Sequence, residues 1–196
     1  MADVDNSLTR IPLGSGKLYA VEFSGTIPED TTFETDSNLL GKVKGGASLE
    51  YKPKFYTEED DLATVSRTII TEEEVKLKAG ILTWNGKTLS KLVSTARVST
   101  DSDKHTRTVK IGGIANYDGK KYAIRFINDD KEYGKTRITI VGSNQAGFTI
   151  AYAKDKGTVI NPEFLAEACD SEGTKIIYTE EIPQSSEASQ QNNADS

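Results

Sequence analysis

The side chains that most often act as nucleophile, general base or metal ligand are scarce in this sequence. It has one histidine, His105, and one cysteine, Cys169. A single cysteine excludes an internal disulfide, and one histidine with one cysteine excludes the usual zinc sites. His105 lies among charged residues with no nucleophile motif near it, and Cys169 is expected to pack as a small apolar residue. The sequence therefore indicates no catalytic residue and no metal site, although carboxylate pairs for glycoside hydrolysis stay open.

A glycine-rich segment at 14–17, Gly-Ser-Gly-Lys, is similar to the end of a phosphate-binding loop. The complete motif needs a glycine five residues before the Gly-Lys pair and a serine or threonine after the lysine. Ile11 and Leu18 occupy these two places. Because the motif is incomplete, we expect a lead-in to the first strand here, and no cofactor.

Two short acidic segments, 101–103 and 128–130, hold carboxylates that could contact calcium. A calcium loop also needs a glycine at its turn and a bidentate glutamate downstream. Neither segment has these residues. Both segments are expected to be polar turns.

Two longer acidic runs are candidates for contacts with partners. The run at 72–74 is three glutamates at the start of a strand, and the run at 58–61 reads Glu-Glu-Asp-Asp. The second run falls between two predicted strands, where like charges resist collapse. It is either a solvated hairpin tip, or an interaction loop or acidic surface that keeps polyanions away.

The chain has 196 residues, the size of one domain. Its 24 basic and 30 acidic residues give a net charge of −6, which argues against a basic nucleic-acid reader. No apolar run approaches the roughly 20 residues of a membrane span, and no secretory leader is visible. We predict a flexible N-terminal arm at 1–12, a single domain at 13–182 and a disordered tail at 183–196.

Most of the predicted elements are strands, because apolar and polar residues alternate along much of the domain. Val75 and Leu77 are expected to point inward, and Pro53 marks an edge or a bulge because it cannot donate to a ladder. Asp118-Gly119 predicts a tight hairpin, and 98–105 reads as a polar loop. The predicted strands are 17–23, 47–55, 62–71, 74–79, 106–114, 121–127, 136–141, 147–153 and 174–179.

The period changes to that of a helix in two places. Between 87 and 96, Leu89, Leu92 and Val93 form one apolar stripe, which predicts a short helix packed on a sheet. At 161–169, Asn-Pro predicts a helix cap and a second short helix. Together, the predicted strands and helices indicate a mainly β fold, in which two packed β-sheets form a sandwich/barrel with a flanking short helix.

Several segments, taken in order, are similar to those of one protein family. They are Gly-Ser-Gly-Lys-Leu-Tyr-Ala at 14–20, Gly-Lys-Val-Lys-Gly-Gly at 41–46, Glu-Glu-Glu-Val-Lys-Leu-Lys-Ala-Gly at 72–80 before Ile-Leu-Thr-Trp-Asn, Ile-Asn-Pro-Glu at 160–163, and Asp-Ser-Glu-Gly at 170–173. This ordered set resembles the major tail proteins, or tail tube proteins, of long-tailed phages, especially non-contractile, siphovirus-type phages. The resemblance covers most of 14–182.

The resemblance implies a structural subunit with the phage tail tube fold and no active site. Six copies would form a ring, and stacked rings would form a tube in the virion tail, assembled in the host cytoplasm, through which DNA passes without specific binding. The other implied partners are the tape measure protein, the tail initiator or distal tail protein, and the tail terminator, with no membrane. The loop that contacts the next ring corresponds to Tyr56, Thr57, Glu58, Glu59, Asp60 and Asp61.

One alternative function stays open at this point. A non-enzymatic β-sandwich binding module on a virion or cell surface, recognising carbohydrate or protein, would favour exposed aromatic residues on its loops. The single tryptophan, Trp84, adjoins the predicted helix and is expected to belong to the core. The choice between a contractile and a non-contractile tail is also open.

Overall fold

The structure is a computed structural model that describes residue 11 and residues 14–182. Apart from Ile11, the predicted N-terminal arm lies outside the described residues, and so does the predicted tail at 183–196. The described elements are β1 (Gly16–Glu22), α1 (Asp30–Phe33), β2 (Leu39–Glu59), β3 (Ser66–Ile81), α2 (Gly86–Leu92), β4 (Arg97–Asp101), β5 (Thr106–Lys110), a 3-10 turn (Ile114–Asn116), β6 (Tyr122–Asp130), β7 (Gly134–Asn144), β8 (Glu163–Glu167) and β9 (Ile177–Glu180).

Seven strands form one antiparallel sheet in the order β6-β1-β2-β3-β8-β7-β9. Because β6 also pairs with β7, the first six strands of that order close into a ring. β8 and β9 both pair with the edge of β7 that faces away from β6: β8 pairs with 141–144 and β9 with 136–139. β4 and β5 form a separate two-stranded sheet. The predicted mainly β, sandwich-like fold with a flanking short helix is confirmed.

The interior of the closed sheet is an apolar core. Val75 and Leu77 point into it as predicted, and both are fully buried. Alternate residues of β1, β6 and β7 join them, since successive side chains of a strand point to opposite faces. The largest fully buried members of this core are Leu18, Leu40, Leu77, Ile81, Leu92, Ile124, Ile140, Ile160 and Phe164.

The outer face of β1, β6 and β7 is also covered. Phe33 of α1 is fully buried there, against Tyr19, Ala123, Ile127 and Val141. This second layer explains why 122–127, at the start of β6, is apolar except for Arg125 instead of alternating: six consecutive residues of β6 are buried. Burial on both faces removes the polar half of the strand pattern.

Helix α2 begins where the sequence predicts it and ends earlier, at Leu92. Asn85 caps it, because its side-chain oxygen accepts a hydrogen bond from the Lys87 backbone N–H. The Thr88 hydroxyl in turn accepts a hydrogen bond from the Asn85 backbone N–H, which completes a capping box. Leu92 is buried, while Leu89 and Val93 are half-buried against the same core. The predicted stripe therefore packs on the sheet.

Replacing Leu92 with alanine should lower the free energy of unfolding by about 2–5 kcal/mol, because a fully buried leucine leaves a cavity. The same change at Leu89, which is half-buried, should cost less. Urea unfolding followed by fluorescence measures both variants. Equal and small losses would show that the helix does not seal the core.

The predicted second helix at 161–169 is wrong. β8 occupies Glu163–Glu167, and it pairs with β3 on one side and β7 on the other. Its burial alternates, with Phe164 and Ala166 inside. The ring would be open between β3 and β7 without this strand, so tertiary pairing overrides the local helix-start signal of Asn161-Pro162.

Three predictions in the middle of the chain are also wrong. The stretch 98–105 is mostly strand and turn, because β4 pairs with β5 in a hairpin. The hairpin predicted at Asp118-Gly119 does not form, because β6 pairs with β1 and β7 instead. The stretch 147–153 has no strand. Only at Asp118-Gly119 does a distant strand, β1, replace the neighbour that the local pattern assigned.

In the part of the chain that the structure describes, no helix has the length and the apolar character that a membrane span requires.

Candidate functional site

The most distinctive feature of the fold is a long hairpin that extends beyond the closed sheet. β2 contacts β1 only through Leu39, Gly41 and Lys42, and β3 contacts β8 only through 76–78. Farther out, residues 51–59 and 66–75 pair only with each other. At about 3.3 Å per residue, the stretch 51–59 spans about 30 Å. We call residues 51–75 the projecting hairpin and residues 58–65 its tip.

An exposed apolar band surrounds the outer half of the projecting hairpin. Phe55 pairs with Ile70, and the next pair, Tyr56 with Ile69, points to the opposite face. These four side chains are 45–62% exposed. Two-stranded hairpins are marginally stable alone, and exposed apolar groups of this size mark contact surfaces. The band therefore points to a segment that is covered when the protein binds a partner.

The stem of the projecting hairpin is charged on the face opposite the core. Lys54 lies across from Glu72, with its Nζ 2.6 Å from a carboxylate oxygen. This hydrogen bond raises the pKa of Lys54 and lowers the pKa of Glu72. The further ion pairs of this face are Lys52–Glu50, Lys76–Glu74, Lys76–Glu163, Lys78–Glu50 and Lys78–Glu163. Exposed pairs of this kind add little stability, and they keep this face soluble.

The contact residues expected from the resemblance all lie on the projecting hairpin. Tyr56, Thr57, Glu58 and Glu59 belong to β2, so the strand is longer than predicted. Asp60 and Asp61 begin the turn that returns the chain to β3 at Ser66. The contact residues expected from the resemblance did not include Phe55, Ile69 and Ile70. The adjacent apolar pairs Phe-Tyr and Ile-Ile, in strands that otherwise alternate, were the signal that both faces are apolar.

Asp60 holds the tip turn closed. Its Oδ1 accepts from the backbone N–H groups of Thr64 and Val65, at 2.6 and 2.7 Å. Its Oδ2 accepts from the Thr64 hydroxyl at 2.6 Å. The Thr64 hydroxyl, followed by the Val65 N–H, lowers the pKa of Asp60 because both favour the ionised form.

The tip should therefore loosen in acid. A lowered folded-state pKa stabilises the turn above the ordinary aspartate pKa of about 3.9, and this stabilisation disappears as pH falls through the folded value. Amide hydrogen exchange and chemical shifts of Thr64 and Val65 measure it. Asp60→Asn should remove most of the pH dependence, whereas Asp61→Asn should keep it. A pH-independent turn in the wild type would contradict this role of Asp60.

The other candidates from the sequence are scattered. His105 lies in the exposed β4–β5 turn with a positive φ of 50°. Cys169 is half-buried against the second apolar layer, and burial, followed by the charge of Asp170, raises the pKa of its thiol. A raised pKa disfavours the reactive thiolate. In the described part of the chain, no three His, Cys, Asp or Glu residues gather as a metal site would require.

The remaining motif segments are parts of ordinary elements. Residues 14–17 lead into β1 as expected. Asp101 accepts from the Lys104 backbone N–H and forms an ion pair with its side chain, which makes a polar turn as predicted. The segment 128–130 is instead the end of β6.

A buried ion-pair network under α1 was not anticipated from the sequence. Glu34 accepts from the Arg137 Nε at 2.6 Å and from an Arg125 terminal nitrogen at 3.2 Å. Arg125 also donates to Asp30 at 2.6 Å and stacks on the Phe33 ring, 4.2 Å from its centroid. The hydrogen bond to Glu34 raises the pKa of Arg137. The sequence signal for this network was an arginine inside each of two apolar strands, β6 and β7. The network attaches α1 to the sheet.

No protein-family model matches the chain, and no curated protein sequence matches it.

Proposed function

We propose that this protein is the structural subunit of a phage tail tube, which assembles into hexameric rings that stack end to end. The observation that carries the proposal is the projecting hairpin. It extends about 30 Å from the domain, and its apolar band of Phe55, Tyr56, Ile69 and Ile70 is exposed in the described part of one copy. The resemblance implies that Tyr56 and the tip beside it contact the next ring, and a neighbouring copy at that contact would bury the whole band.

The charge of the protein suits a conduit for DNA. Six copies at −6 carry a formal −36 per ring, so a lumen that shares this charge repels phosphates and forms no counterion-release complex. The partners in this proposal are further copies of the chain, the tape measure protein, the tail initiator or distal tail protein, and the terminator. The subunit has no catalytic role in it, and its place is the virion tail after assembly in the host cytoplasm.

Negative-stain electron microscopy of the concentrated, purified protein over a range of salt tests the proposal. The expected result is rings or hollow tubes with six-fold end views. A protein that stays monomeric both alone and with tail initiator and tape measure proteins would contradict it.

Removing 58–61 should leave the monomer folded and weaken ring stacking, because the tip lies outside the core and all four residues are exposed. Circular dichroism melting checks the fold, and sedimentation of assembled material checks stacking. A matched variant that removes no contact surface, Lys154→Ala with Lys156→Ala in an exposed loop, should assemble like the wild type. Unchanged assembly after the tip deletion would remove the tip from the proposed contact.

A binding module is the second candidate, and exposed aromatic residues favour it. Tyr117 is 69% exposed and Tyr152 is 81% exposed, both outside the strands. Such rings stack on sugars or anchor protein partners. A glycan array and a partner screen with the monomer measure this function. Binding that Tyr152→Ala abolishes, in a protein that forms no rings, would favour the module over the tube.

A further inference from the structure

A compact patch of cations and apolar side chains lies at the opposite end of the β2–β3 ladder from the tip. Arg97 begins β4, Lys110 ends β5, and the chain then passes through Ile111, Ile114 and Tyr117. A terminal nitrogen of Arg97 lies near Gly113, which joins the two parts. The three apolar residues are exposed, with Ile114 94% exposed. We call these five residues the basal patch.

The position of the basal patch follows from α2. The Thr88 hydroxyl donates to the Leu40 carbonyl at the start of β2, which places α2 at the base of the ladder. Gly86 in turn packs against the side chains of Arg107 and Val109 in β5. The tip lies past Glu59, and the ladder from Ala47 to Glu59 is about 40 Å long. The tip and the basal patch of one copy therefore face away from each other.

The two cations of the basal patch lie in an unfavourable arrangement for a single copy. Arg97 and Lys110 are directly opposite each other in the β4–β5 register, on the same face. Like charges in this position destabilise a sheet. Within the described residues neither side chain forms an ion pair with a carboxylate. An incoming anionic group would relieve the repulsion.

The tip has the complementary composition. Leu62 is 81% exposed and Val65 is 71% exposed, and the four carboxylates of 58–61 precede them in the same tip. None of these carboxylates forms an ion pair in the described part of the chain. Apolar residues with an anionic rim at one end thus match apolar residues with a cationic rim at the other end.

We infer that the tip of one copy docks on the basal patch of a second copy, with Leu62 and Val65 against Ile114 and Tyr117. This inference rests on the proposed function and names the two surfaces that meet. Different surfaces of each copy make the contact, so it is heterologous and repeats along an axis instead of closing a dimer. The charges set the direction of stacking, because tip-to-tip and patch-to-patch encounters are repelled.

Two charge-reversal variants of the full chain test the inference. Arg97→Glu with Lys110→Glu makes both surfaces acidic. Glu58→Lys with Glu59→Lys and Asp61→Lys changes the formal charge of the tip from −4 to +2 and makes both surfaces basic, while Asp60 still holds the turn. Each variant alone should need at least about tenfold more protein to assemble than the wild type, because like charges now meet. Analytical ultracentrifugation and electron microscopy measure the assembly.

Restored charge complementarity should rescue assembly. An equimolar mixture of the two variants should assemble near the wild-type concentration, and so should the single chain that carries all five changes. The control for the patch reversal is Lys154→Glu with Lys156→Glu, which changes the net charge by the same amount in an exposed loop and should leave assembly unchanged.

The outcomes separate this inference from the proposed function. A wild type that forms no rings or tubes, either alone or with tail initiator and tape measure proteins, contradicts the proposed function. A wild type that assembles, with both reversal variants assembling equally well, contradicts only the docking of tip on basal patch. Loss in both variants without rescue also contradicts it, because the residues would then act on separate partners.

Discussion

Replacing Glu34 with alanine is expected to lower the free energy of unfolding by about 3 kcal/mol, the lower end of the range for a broken buried ion pair. Two buried arginines lose their most buried acceptor, while Asp30 still contacts both of them and Glu181 still contacts Arg137. The Arg125 and Arg137 side chains are 8% and 10% exposed, and that of Glu34 is 14% exposed. Water therefore cannot replace the lost acceptor fully. Urea unfolding, with circular dichroism as the signal, measures the change.

The matched control for this variant is Glu22→Ala. Glu22 forms an ion pair with Lys120 at 2.7 Å, but both side chains are about half exposed. An exposed pair contributes about 0–1 kcal/mol, so the control should unfold almost like the wild type. Equal effects of the two substitutions would show that the network under α1 is solvated. Glu34→Gln should recover part of the loss, since its amide oxygen still accepts a hydrogen bond.

The second large effect is expected at Gly142, where the closed sheet has no room for a side chain. A Cβ on this residue would lie 1.9 Å from the Leu165 carbonyl oxygen and 2.9 Å from the Leu165 carbonyl carbon. Both atoms belong to the backbone of β8, which cannot rotate away as a side chain would. Gly142→Ala must therefore separate β7 from β8 at the junction that closes the ring.

We expect Gly142→Ala to lose at least about 3 kcal/mol, at the upper end for overpacked sites, because the backbone must move. Thermal unfolding and amide exchange of 163–167 measure the loss. Ser143→Ala is the control: Ser143 follows in the same strand, pairs with Leu165 and already carries a Cβ. A Gly142→Ala protein with wild-type stability and protected β8 amides would show that β7 and β8 do not pair so closely in solution.

The sequence predicted the parts of the fold in which a local period survives. Glu74–Ala79 alternates strictly, and Val75 and Leu77 are buried as expected. The stripe of Leu89, Leu92 and Val93 packs on the core, and Asn85 caps its helix. These elements bury one face only, so the period of their apolar residues reports their secondary structure.

The candidate contact region was predicted in part. The acidic tip was visible as a run of like charge between two strands, but the apolar band was not recognised. Phe55 and Tyr56 are adjacent, and so are Ile69 and Ile70, which reads locally as a buried strand. Their exposure became clear only from the pairing, because within residues 14–182 this part of the hairpin pairs with no third strand.

By itself, the sequence determined the β-rich class and the short helix α2, since composition and period are local properties. The tertiary structure alone decided the closure of the sheet, the strand conformation of β8 and the projecting hairpin. It also decided the burial of Arg125 and Arg137, whose carboxylate partner Glu34 lies 91 and 103 residues away in the chain. The physical reason is that strand pairing and ion pairing join distant residues, and the free energy of these contacts overrides local preference.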